Sequence, residues 1–249
     1  MNTDEILNII KNENNLLEPE VEGEIVFVGD THGDFESSQY VFDKLPPEKY
    51  NLVFLGDYVD RGQHSKENID FLLSQKERNP TRVFLLQGNH EGYRYQKFSP
   101  VDFWSGLSPK ESEKYQKILS RLPLAFSWNG IIATHGGLPD INSIKEIDQI
   151  EGGDPNWKKI TWGDFNESDG FVLGGGFGRP QLGQNYFQTV MNNLNKKVMI
   201  RSHQPNAPLN MYDNRCLTIF TSSAYGTKKR IALAEGEVRT TRDLKIRQI

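Results

Sequence analysis

Six side chains able to hold a metal ion stand just past short apolar runs: Asp30, His32, Asp57, Asn89, His135 and His203. Carboxylate, imidazole and amide oxygen in this mixture suit manganese, iron or zinc, and no thiolate is among them. A carboxylate such as Asp57 can bridge two ions, so the set fits a binuclear centre. A lone buried aspartate or histidine is more often a plain hydrogen-bond partner. Burying this many charges and imidazoles together is costly unless they are paired or metal-bound, which favours the metal reading. Glycines flank the same residues in Gly29-Asp30, His32-Gly33, Gly56-Asp57, Gly88-Asn89 and His135-Gly136. They permit the tight turns that aim a strand-end side chain.

Bringing these residues together requires strands that end on one side of the molecule. Ile25-Val26-Phe27-Val28, Leu52-Val53-Phe54-Leu55, Val83 to Gln87, Ile131-Ile132-Ala133-Thr134 and Val198 to Ser202 are β-rich apolar runs. Each reads as a strand buried on both faces, and each stops at one of the candidate ligands. Helical patterns over Ser65 to Lys76, Pro109 to Leu122 and Gln184 to Leu194 lie between some of them, with Ser65 as the expected N-cap. Asn129-Gly130 between two β-rich runs predicts a hairpin. The C-terminal part from Arg215 reads as strand and turn. The expectation is an α/β fold: a sandwich of mixed β-sheets with helices outside and the ligand crevice at the carboxyl ends of the strands. No linker, repeat or low-complexity tract divides residues 1–249, which predicts a single domain.

Composition narrows the class. Charged residues make up 25% of the 249 and the formal net charge is −4, the balance of a soluble protein without the basic excess of a nucleic-acid binder. No apolar stretch is long enough to span a bilayer, and Met1 to Asn15 lacks the pattern of a secretion signal. A single cysteine, Cys216, forms no internal disulfide and agrees with a reducing cytoplasm. A thiol-based phosphate-transfer loop needs an arginine six residues after its cysteine, where this chain has Ser222. Cys216 therefore reads as a small core residue.

The motifs also carry a resemblance. Gly29-Asp30-Thr31-His32-Gly33, Gly56-Asp57-Tyr58-Val59-Asp60-Arg61-Gly62 and Gly88-Asn89-His90-Glu91 resemble, in order, the three signature motifs of the PPP family of serine/threonine phosphoprotein phosphatases. His135-Gly136-Gly137 and Arg201-Ser202-His203-Gln204 are similar to its two later histidine motifs, and Trp162-Gly163-Asp164 to its tryptophan-aspartate motif. The likeness runs from about Ile25 to Tyr225, and the compact form resembles prokaryotic, including archaeal, members.

That resemblance implies a metallophosphoesterase fold and metal-dependent hydrolysis of phosphoserine and phosphothreonine in proteins. It assigns Asp30, His32 and Asp57 to one divalent ion and Asp57, Asn89, His135 and His203 to a second, manganese foremost, with iron or zinc as alternatives. A hydroxide bridging the ions would attack phosphorus in line, with no phosphoenzyme. His90 would be the general acid for the leaving alkoxide, oriented by Asp60, and Arg61 would clamp the phosphate with Asn89 nearby. Arg179 is a further substrate-binding candidate, or else a solvated loop arginine. Tyr225 sits where the family has a tyrosine near the metals, or else simply packs a strand end. Asp164 either supports a ligating histidine or caps a turn. Trp104, Trp128 and Trp157 read as packing, and His64 as a surface residue.

Departures from the pattern leave the substrate open. Ser223-Ala224-Tyr225-Gly226 stands where eukaryotic relatives have a proline-asparagine-tyrosine-cysteine run. The segment from Gly170 to Gly183 lacks nucleotide-loop spacing and reads as a mobile loop at the mouth of the site, or an ordinary surface connection. Hydrolysis of diadenosine tetraphosphate or another small phosphoester is the alternative activity. A catalytically inactive scaffold is the alternative of another class. Phosphoproteins are the expected partners, with regulatory subunits undefined and neither nucleic acid nor membrane expected.

Overall fold

The computed structural model describes residues 2–170, 172–176, 178–226 and 228–249. In chain order the elements begin with α1 (Thr3–Lys11), β1 (Leu16–Leu17), β2 (Ile25–Val28), α2 (Phe35–Lys44), β3 (Asn51–Phe54), α3 (Ser65–Arg78) and β4 (Val83–Leu85). There follow α4 (Asp102–Ser105), α5 (Pro109–Leu119), β5 (Ala125–Trp128), β6 (Ile131–Thr134), α6 (Pro155–Trp162), β7 (Asp164–Phe165), β8 (Val172–Gly176) and β9 (Arg179–Leu182). The chain closes with α7 (Gln184–Asn193), β10 (Val198–Arg201), β11 (Asn210–Met211), β12 (Cys216–Thr218), β13 (Arg230–Ala234) and β14 (Lys245–Gln248).

Two mixed sheets form the sandwich, one ordered β14-β13-β2-β3-β4 and the other β1-β5-β6-β10-β12-β11. Side chains alternate across each strand, which explains the unbroken apolar runs. Phe27, Val53, Leu55 and Phe84 face Phe126, Ile131, Ala133 and Ile200 between the sheets. Their neighbours Val26, Val28, Leu52 and Phe54 face outward against Ile6, Val41 and Leu72 of the helices. On the far side Ile132 and Met199 pack against Trp157, Ile160 and Phe187. Phe27 and Phe126 meet edge to face, 6.0 Å apart, in the middle of the sandwich. Removing either ring to alanine should cost about 3–5 kcal/mol through lost transfer energy and the cavity left behind.

Strand register is what positions the site. β2, β3 and β4 run parallel with Val28 opposite Phe54 and Phe54 opposite Leu85, so three chain segments leave the sheet side by side. β6 and β10 are parallel, with Ala133 opposite Ile200, and release His135 and His203 together. An isolated bridge between Asp30 and Phe220 links the two sheet ends.

The Asn129-Gly130 hairpin forms as expected, pairing Trp128 with Ile131. Ser65 is the first residue of α3 rather than its cap. The cap position falls to His64, whose side chain makes no capping bond, while the Ser65 hydroxyl donates to the Gly62 carbonyl. The expectation of a loop over Gly170 to Gly183 is corrected, since much of the segment is strand. Val172–Gly176 and Arg179–Leu182 pair antiparallel and join β7 in a third, three-stranded sheet ordered β7-β9-β8. Phe171 and Phe177 of that segment lie outside the described residues. Among the described residues, no helix is long and apolar enough to cross a membrane.

Candidate metal centre

The strand ends bring Asp30, His32, Asp57, Asn89, His135 and His203 into one buried cluster. His32 Nε2 lies 3.6 Å from both Asp30 Oδ2 and Asp57 Oδ2. His135 Nε2 lies 3.3 Å from Asp57 Oδ2, 3.2 Å from Asn89 Oδ1 and 3.0 Å from His203 Nδ1. Asp57 belongs to two groupings of closely spaced donors, one with His32 and His90 and one with His135 and His203. A carboxylate shared between two donor sets is what a bridging ligand requires.

The backbone carries strain at these positions. His32, Asp57, Asp60, Arg61 and His203 all have positive φ, between 42° and 72°, a conformation that L-residues with side chains adopt at a cost. The surrounding hydrogen bonds must hold them there. Thr31 and His32 donate backbone N–H groups to the Asp57 carbonyl, and Gly33 donates to that of Tyr58. Glu91, buried, accepts from the amides of Asp57 (2.7 Å), Tyr58 (2.9 Å) and Gly88 (2.9 Å). Asn68 ties Thr31 Oγ1 (2.9 Å) to the Tyr58 carbonyl (2.8 Å). Two glycines serve close approach rather than turning. A Cβ on Gly62 would strike the His32 carbonyl, and one on Gly88 would strike the Asp57 carboxylate.

Each histidine is oriented from behind. His32 Nδ1 sits 2.9 Å from the Val59 carbonyl and His135 Nδ1 sits 2.9 Å from that of Leu55. In both, the backbone carbonyl accepts a hydrogen bond from Nδ1–H and turns Nε2 toward the cluster, the usual support of a metal-ligating imidazole. His203 is reversed: Nδ1 faces the cluster while Nε2 meets Arg179 and lies 3.5 Å from Asp164 Oδ1.

The electrostatics favour a cation in the cluster. Burial and the neighbouring Asp57 raise Asp30 to about 6, against the opposing pull of His135. Burial lowers His32 to about 3 although Asp57 favours its charge. Burial also works against His135, but Asp57 and Asp30 carry it up to about 9. Burial and Arg179 hold His203 well below the usual imidazole range. His32 and His203 are thus kept neutral, while the crowded carboxylates draw positive charge onto His135, the mark of a pocket of excess negative charge that a divalent cation would satisfy. Asp30 Oδ2 makes the same point, since it is buried with no hydrogen-bond partner among the described residues. The residues present therefore fit divalent metal ions.

Around the cluster stand the other expected residues. His90 Nδ1 is 2.6 Å from Asp60 Oδ2, and Asp60 Oδ1 accepts from the Phe103 amide at 2.8 Å. Although burial opposes it, Asp57 and Asp60 raise the His90 pKa. Arg61 is exposed beside this pair, its guanidinium 5.6 Å from the Tyr225 ring centre. The Tyr225 hydroxyl reaches to 3.3 Å from His32 Nε2. Arg179 comes from β9 and contacts Asp164 Oδ1 at 3.2 Å. Trp104, expected only to pack, donates from Nε1 to the His90 carbonyl at 3.1 Å. His64 is exposed, as expected for a surface residue.

A family model described as calcineurin-like phosphoesterase matches residues 23–207. The serine/threonine-protein phosphatase 4 catalytic subunit of Kluyveromyces lactis is 30% identical, over 87% of this chain and 74% of its own length. The chain belongs to the calcineurin-like phosphoesterase family, on its PPP branch. A probable serine/threonine-protein phosphatase of Encephalitozoon cuniculi is 28% identical over 86% of this chain, which spans only 50% of that relative. Among solved structures, a protein serine/threonine phosphatase from Saccharomyces cerevisiae superposes with a TM-score of 0.81 at 22% identity, covering 100% of this chain and 90% of its own. That likeness bears on the fold alone, the two-sheet sandwich flanked by helices. Glu91, Asn68 and Trp104 support the site without being among the residues expected from sequence. Glu91 follows directly on Asn89-His90 and was the most readable of the three.

Proposed function

We propose that this PPP-family chain, as one catalytic domain over residues 1–249, hydrolyses phosphoserine and phosphothreonine in proteins. The observation that carries the reading is the buried His90–Asp60 pair at 2.6 Å, set against Asp57 of the cluster, with Arg61 next in sequence and open to solvent. A buried imidazole whose charged form two neighbouring carboxylates favour is suited to act as a general acid, and an alkoxide leaving group needs one.

Asp30, His32 and Asp57 would hold one divalent ion, and Asp57, Asn89, His135 and His203 a second, manganese foremost. Bound there, the ions supply Lewis-acid charge for the phosphoryl oxygens and lower the pKa of water to make the nucleophile. The chain's own groups do the rest. Arg61 grips the phosphoryl oxygens with its forked donors, and Arg179, tethered by Asp164, offers a second cation beside His203. His90 Nε2 delivers the proton to the departing serine or threonine oxygen while Asp60 keeps Nδ1 protonated. Tyr225 closes the wall over His32. Phosphoproteins are the substrates, and regulatory subunits are an open class of partner.

The test is a substrate panel with manganese-loaded protein: phosphothreonine, phosphoserine and phosphotyrosine peptides, and diadenosine tetraphosphate. Preference for the first two supports the reading. Preference for the dinucleotide replaces its substrate, and no phosphate release from any peptide removes it.

A further inference from the structure

Tyr225 belongs to a segment, Thr221–Gly226, that leaves the sheet beside Asp30, where the Thr221 amide donates to the Asp30 carbonyl at 3.1 Å. The segment must be fixed again farther along, or Tyr225 would swing away from His32. Asp34 supplies that second point. Its Oδ2 accepts from the Ser223 amide (2.9 Å), the Ser223 hydroxyl (2.9 Å) and Lys229 Nζ (2.8 Å). Its Oδ1 accepts from the Ser37 amide (3.1 Å) and so caps α2. Lys229 Nζ also donates to Ser37 Oγ at 2.9 Å. One carboxylate thus joins the start of α2, two residues after His32, to both sides of Tyr225.

Held there, the Tyr225 ring stands edge to face against His32, centroids 5.5 Å apart at 73°. Phe220 backs it at 6.0 Å. Its face lies toward the guanidinium of the exposed Arg61 at 5.6 Å. Tyr225 is therefore the platform on which that exposed arginine rests, by cation–π attraction.

We propose that Asp34 is a positioning residue: by anchoring Ser223 and Lys229 it holds Tyr225 in place, and through Tyr225 it sets how Arg61 meets the phosphoryl group. The inference rests on the phosphatase reading for its substrate, and on geometry alone for its anchor. A loosened platform leaves Arg61 to search more rotamers before binding, which weakens substrate capture more than the chemical step.

Four variants of the full chain test it: Asp34→Ala, Asp34→Asn, Lys229→Met and Tyr225→Leu. Lys229→Met weakens the anchor while leaving the Asp34 cap on α2. With manganese and a phosphothreonine peptide, Asp34→Ala should raise KM about tenfold with kcat within about threefold, and Asp34→Asn and Lys229→Met should fall between it and the parent. Adding Asp34→Ala to Tyr225→Leu should cost nothing more. Without metal or substrate, hydrogen exchange across Thr221–Gly226 should quicken in Asp34→Ala and Lys229→Met. Unchanged exchange in both variants overturns the anchor. A full additional KM penalty in the double variant overturns its action through Tyr225. A parent protein inert toward the peptide would instead remove the phosphatase reading, and the exchange rates then decide the anchor by themselves.

Discussion

Glu91 Oε2 accepts from the backbone amides of Asp57 and Gly88 at 2.7 and 2.9 Å, so one fully buried carboxylate ties together two strand-end loops. Its other oxygen takes the Tyr58 amide at 2.9 Å. Replacing Glu91 by alanine leaves three buried N–H groups without a partner. At about 1–3 kcal/mol for each orphaned group, the loss should exceed about 3 kcal/mol. Urea denaturation of Glu91→Ala against the parent checks this. A change under about 1 kcal/mol would show that water replaces the carboxylate.

Asp57 and His90 should separate by metal content. Asp57→Asn removes the carboxylate shared by both donor groupings and should lower occupancy of both ions. His90→Asn should leave metal content close to that of the parent. Metal analysis after manganese loading and desalting reads this directly. Equal loss in the two variants would place His90 among the ligands.

A second buried charge pair lies far from the cluster. Lys76, 1% exposed, meets Glu13 and donates to the Pro80 carbonyl at 2.9 Å. Burial raises Glu13 above its usual range despite Lys76, and burial lowers Lys76 despite Glu13. Such a pair contributes little net stability, yet breaking one side is severe. Glu13→Gln alone should cost about 3 kcal/mol, whereas Glu13→Leu with Lys76→Met should be near neutral. Thermal and urea unfolding of the three proteins tests the contrast.

Asp34 makes stability depend on acid. Partial burial works against its charge, but Lys229, Ser223 and Ser37 hold its folded pKa down to about 2, below the ordinary 3.8. A lowered carboxyl stabilises the fold above its unfolded pKa and loses that contribution as pH falls through the folded one. The advantage of the parent over Asp34→Asn should therefore be full above about pH 4 and shrink toward pH 2. Urea midpoints for both proteins at pH 6 and pH 3 test it, and a gap that widens in acid would contradict it.

Much of this architecture could be read from the chain because it rests on strong local signals. The five apolar runs are strands because both faces are buried, and each ended within a few residues of its candidate ligand. Pro109 after Ser108, with Glu111 three residues beyond the cap, marks the start of α5 and forms a full capping box. The strained backbone of His32, Asp57, Asp60, Arg61 and His203 could not be read, since aspartate and histidine tolerate positive φ without requiring it and arginine disfavours it. It is imposed by contacts distant in sequence, such as Glu91 on Asp57. The pairing of β8 with β9 was also hidden. Its glycines read as loop, and the partner that completes the small sheet is the two-residue strand β7. Trp104 looked like packing because its bond goes to a carbonyl, which carries no sequence signature.

If His90 gives a proton to the leaving oxygen, its removal should matter most where the leaving group cannot depart without one. The most direct measurement compares kcat of the parent and His90→Asn, both manganese-loaded, on a phosphothreonine peptide and on p-nitrophenyl phosphate. The alkoxide needs that proton and nitrophenolate does not. Proton donation by His90 should show as a loss of about a hundredfold or more on the peptide and less than about tenfold on the nitrophenyl ester. An equal loss on both substrates would contradict it and leave His90 as a binding or structural group.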